Sequence, residues 1–108
     1  MTSEELVQKA IDAGYIQKED NEDTPVYSLT SSGVDKLTTM INELATHIIN
    51  QPNITIKATE ETFRKSVTRT FLSMFGSSVK SFFYLYAHEN DLKALVNFNL
   101  GPTNGEFQ

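Results

Sequence analysis

The sequence predicts a small α+β domain, and three observations carry that expectation. Residues 34–49 and 63–74 repeat apolar side chains at helical spacing. Residues 15–29 read as two short extended pieces around a polar, turn-rich middle. Residues 92–100 alternate apolar and other side chains in the two-residue period of a strand.

Taken in order, Thr2 or Ser3 can cap a first helix whose opening turn carries Glu4 and Glu5, which favour the positive helix end. Leu6, Val7, Ala10 and Ile11 form its apolar face, and Gly14 suits the left-handed position past its end. Tyr15-Ile16 and Val26-Tyr27-Ser28-Leu29 then predict a hairpin with an acidic tip at 20–23. Thr30, Ser31 or Ser32 caps a long second helix. Its stripe is Val34, Leu37, Ile41, Leu44, Ala45, Ile48 and Ile49, with Met40 on the margin. Pro52 stops it. Residues 53–58 alternate like a strand, and Thr59 caps a third helix to about Phe75 with Phe63, Val67, Thr70, Phe71 and Met74 on one side. The aromatic run 82–86 and the alternation at 92–100 predict a second hairpin turning at 88–91, with a helix across part of 78–96 as the alternative.

The second helix would join a 1–50 part to a strand–helix–hairpin part at 51–100, giving one domain with a loose tail at 101–108. The expected core is Leu6, Ile11, Tyr27, Leu29, Leu37, Ile41, Leu44, Ile48, Ile54, Phe63, Val67, Phe71 and Phe98.

The chain has 108 residues, a net charge of −5 and no cysteine, which excludes disulfides, thiolate metal sites and thiol nucleophiles. The opening Met-Thr-Ser-Glu-Glu lacks a basic region followed by an apolar one, and no apolar run approaches a membrane span, so a cytoplasmic protein with no membrane partner is expected. His47 and His88 have no second ligand at metal spacing, and neither a phosphate loop nor a nucleophile elbow is present. No metal, cofactor or catalytic residue is therefore expected. Charge is polarised. Residues 1–43 carry nine acids against three lysines, while residues 57–80 carry five cations against two acids.

One local pattern points to a family. A helix at 6–13, Gly14-Tyr15-Ile16, a polar turn, then Tyr27-x-Leu29-Thr30-x-x-Gly33-x-x-x-Leu37 resembles the recognition helix, wing and following helix of winged-helix transcription regulators of the MarR and PadR types, over about residues 3–45. The resemblance implies DNA reading by Gln8, Lys9, Lys18 and Asn21. Against that, the implied reading surface is acidic, and phosphate attraction supplies most non-specific DNA affinity. The expectation is instead a small non-enzymatic regulator or adaptor that works through protein contacts or self-association, with the DNA-binding regulator as the alternative. The expected contact surface combines the aromatic face of Phe82, Tyr84 and Tyr86 with the basic residues Arg64, Lys65 and Arg69.

Overall fold

The computed structural model describes residues 1–21, 23–52, 55 and 57–96. Its elements are α1 (Ser3–Asp12), β1 (Ile16–Asn21), β2 (Thr24–Leu29), α2 (Ser31–Ile49), α3 (Glu60–Phe75), α4 (Ser78–Tyr86) and a 3₁₀ segment (Glu89–Leu95) kinked at Asp91. The α+β class holds: among the described residues, helices accompany one two-stranded antiparallel sheet, β1 with β2, in a register from Ile16↔Leu29 to Asn21↔Thr24.

Local chemistry sets most helix ends. Thr2 and Glu5 form a reciprocal capping box on α1, with the Glu5 amide donating to Thr2 Oγ1 over 3.1 Å. Thr59 accepts from the Thr62 amide at the start of α3, and Gly76 ends that helix at φ +75°, a left-handed conformation that costs glycine no Cβ clash.

The core lies where α2, α3 and α4 meet. Leu44, Phe63, Val67, Phe71, Phe82 and Leu85 are fully buried, joined by Met40, Ile41, Ile48, Tyr86, Leu92 and Leu95. Leu37 is buried as expected, while Leu6, Ile11, Tyr27 and Leu29 are half-buried around the edge. Ile54 and Phe98 lie outside the described residues. Two stripes shift by a residue. Met40, expected on the margin of α2, is buried, whereas Val34 is exposed. On α3, Met74 is exposed and Phe75 takes the inward place, stacking on Phe71 at 6.0 Å.

The second hairpin is corrected. Residues 78–86 are helical and 89–95 form the 3₁₀ segment, so the helical alternative is the one realised. Phe82, Leu85 and Tyr86 stand at i, i+3 and i+4, which places all three on one buried helix face. Ser77 caps that helix by accepting from the Lys80 amide. The helix also satisfies its backbone polar groups locally, which an aromatic strand without a sheet to join does not. The buried Ser81 hydroxyl bonds the Phe71 carbonyl at 3.2 Å and the Ser77 carbonyl at 2.9 Å, locking α4 to the end of α3. Of the strand expected at 53–58, Thr55, Lys57 and Ala58 are not in a strand, and residues 53, 54 and 56 lie outside the described residues. The end of the alternating run at 97–100 and the tail at 101–108 lie outside them too.

Candidate functional site

Burial sorts the expected aromatic contact face. Phe82 is completely buried and Tyr86 is 3 % exposed, which corrects their placement on an open strand face. Both pack on the root of the hairpin. Tyr15 meets Phe82 and Tyr86 at 5.8 Å each, and Phe82 stacks on Tyr86 at 5.0 Å. Tyr84 is half-buried against Phe75 at 4.8 Å, and burial raises its phenol above the ordinary tyrosine range. The aromatic run is thus chiefly core.

The basic residues come together. Asn42, Arg64, Lys65, Thr68 and Arg69 line a groove of about 600 Å³ between α2 and α3. Their roles differ. Arg64 is a clamp: its guanidinium donates to the Asn42 carbonyl at 2.9 Å, to Thr46 Oγ1 at 2.8 Å and to Glu60 Oε1 at 2.9 Å, tying the two helices together. Lys65 is exposed and holds Glu61 at 3.2 Å, a surface pair that solvent screens. Arg69 is exposed and has no ion pair among the described residues. Leu72, one turn on, is exposed as well, so Lys65, Arg69 and Leu72 make a stripe at i, i+4 and i+7.

The four residues implied for DNA reading are scattered in role. Gln8 donates to Asp12 at 2.8 Å, and Lys18 faces Asp20 at 3.7 Å. Asn21 is exposed at the far end of β1. Gln8 and Lys18 line a smaller groove of about 370 Å³ with Val7, Ile11 and Tyr27. Lys9 is exposed and lies 3.0 Å from Glu89 and over the Tyr86 ring at 5.2 Å.

Glu89 is the group that sequence reasoning missed. Its two oxygens take Lys9 at 3.0 Å and Lys36 at 3.1 Å, and Lys36 lies over Tyr15 at 5.7 Å. Burial works against the Glu89 charge, but the hydrogen bonds from both lysines outweigh it and hold the carboxyl below the usual glutamate value. Hydrogen bonding to Glu89 raises Lys9. Burial would lower Lys36, but its own bond to Glu89 and the Glu89 charge outweigh that and raise it. With Lys9 and Glu89 separated by 80 positions in the sequence, no local spacing signals the cluster.

Beyond the body, the hairpin projects. Gln17 to Asn21 and Thr24 to Val26 are exposed, so both faces of the outer ribbon meet solvent. No helix among the described residues is long and apolar enough to cross a membrane. Comparison with protein-family models, with curated proteins and with solved structures finds no match to this chain.

Proposed function

We propose that this chain is a small, non-enzymatic regulatory or adaptor protein of the cytoplasm that works through protein–protein contacts, including contacts with itself. The observation that carries this reading is the α3 stripe. Lys65, Arg69 and the exposed Leu72 stand beside the α2–α3 groove, combining charge with apolar surface in the manner of a protein-contact patch. Tyr84 borders the helix pair rather than forming the patch, and Arg64 shapes the groove from below while its donors are occupied.

A second reading has its own support. The order helix, hairpin, helix and the close seating of Gly33 on Tyr15 favour a winged-helix relation for the N-terminal part. On that reading the chain is a DNA-binding regulator that touches DNA with Gln8, Lys18 and Asn21.

Two measurements with Lys65→Glu/Arg69→Glu separate these readings. Anisotropy of a labelled mixed-sequence duplex, followed across salt, should show no binding, while immobilised wild-type chain should retain protein that the double variant releases. Duplex binding that weakens steeply with salt and disappears in Lys18→Glu overturns the protein-contact reading in favour of DNA.

A further inference from the structure

We infer that the partner seated on the α3 stripe is the projecting hairpin of a second copy of this chain. This rests on the protein-contact reading of that stripe and names its occupant.

The argument starts from the ribbon. A two-stranded hairpin is marginal in water unless something packs on it. Here the root is packed and the outer part is not: after Ile16 every residue of β1 is exposed. Directly opposed residues share a face, so the register puts Glu19 with Val26, Gln17 with Ser28 and Asn21 with Thr24 on one side. Ile16 and Leu29 belong to the other side, which turns to the body. The outward face therefore pairs a carboxylate, Glu19, with an apolar side chain, Val26, which is 45 % exposed. Asp23 adds negative charge at the same end, while Asp20 lies on the opposite face and pairs weakly with Lys18 at 3.7 Å.

The α3 stripe is the complement. Lys65 and Arg69 answer Glu19 and the acids near the tip, and Leu72 answers Val26. Arg69 enters the contact without giving up an ion pair to a described residue, and Lys65 gives up only an exposed pair with Glu61. Glu60 does not oppose an incoming carboxylate strongly, because Arg64 already holds it. The two surfaces are unlike, so one copy's hairpin meets the other copy's groove, and charge fixes which patch meets which.

The test uses charge reversal in the full chain, read by sedimentation and light scattering over a concentration series. One variant reverses the groove (Lys65→Glu/Arg69→Glu), and the other reverses the hairpin (Glu19→Lys/Asp20→Lys/Asp23→Lys). All five positions are exposed, and circular dichroism checks that each variant keeps its helices. The wild type should self-associate, and either variant alone should associate more than about tenfold more weakly, since juxtaposed like charges cost several kcal/mol. Mixing the two variants, or combining all five changes in one chain, should restore association. A wild type that stays monomeric throughout, or variants that associate as well as wild type, overturns the second-copy assignment. If the wild type is monomeric yet still retains another protein that the groove variant releases, only the occupant is wrong. If nothing is retained either, the protein-contact reading falls with it.

Discussion

The hairpin has two ends with opposite characters. At its root, the Thr30 amide donates to the Tyr15 carbonyl at 3.0 Å, and the Thr30 hydroxyl bonds the Gly14 carbonyl while accepting from the Gly33 amide. Tyr15 packs against the stacked pair Phe82 and Tyr86. A few residues further out, β1 and β2 hold each other, and Gln17–Asn21 and Thr24–Val26 are exposed. One ribbon thus serves two purposes: the root is determined by the fold, and the outer part is left for contacts. Such a division predicts that the cost of substitution falls steeply along about 15–20 Å of strand.

The sharpest break in that gradient is Gly33→Ala. A Cβ there would run into the Tyr15 carbonyl oxygen, well inside contact distance, and come within 3.2 Å of Leu29 Cδ2. Because the obstacle is backbone, the helix and hairpin must separate. Urea unfolding should show a loss of about 3 kcal/mol, the upper end of overpacking costs. Gly14→Ala is the control: at φ +82° with nothing within 4 Å, it should lose only the left-handed strain, about 1–2 kcal/mol.

Thr30→Ala comes next. It removes the α2 cap and the bond to Gly14 together, so about 1–2 kcal/mol should be lost in the same assay.

Glu89→Gln should cost about 1 kcal/mol or less, since exposed partners and salt screen the cluster. Its pH dependence is the clearer signature. Glu89 is depressed in the fold, so its contribution is present above the ordinary value of 4.5 and is lost as pH falls through the lower folded value. Lys9 and Lys36 are raised from 10.5, so their contribution is lost only as pH climbs beyond that value. Thermal melts of wild type and Glu89→Gln should therefore differ at neutral pH and converge in acid.

The smallest effect is expected at the tip. Glu19→Lys and Asp20→Lys should each change stability by less than about 0.5 kcal/mol. A larger loss would show that the outer ribbon is held by the body after all.

The root was legible because its chemistry is local. Tyr27-x-Leu29-Thr30-x-x-Gly33 names a strand and a cap within seven residues, and the structure adds why the glycine must lack a Cβ. The α2 stripe and the Gly76 stop were readable for the same reason. Residues 78–96 were misread because aromatic strand propensity was weighed above the Phe82, Leu85, Tyr86 spacing and the Ser77 cap, both of which were present in the sequence. The basic groove was half legible: the α3 cations were visible as a run, but nothing in that run says that Arg64 turns to α2 while Arg69 faces out. The Glu89 cluster could not be read at all, since it depends on three segments meeting in space.

The packing of Tyr15 against α4 bears on the order in which the chain can be made and folded. α1, the hairpin and α2 are synthesised before α4, yet Tyr15 has no finished surroundings until the Phe82–Tyr86 helix emerges some seventy residues later. Contacts of such long sequence separation slow folding, because the loop between them must close before they form. The contacts between the helix–hairpin part and α4 should therefore form late in folding, with the hairpin root waiting, partly assembled, for α4 to complete it.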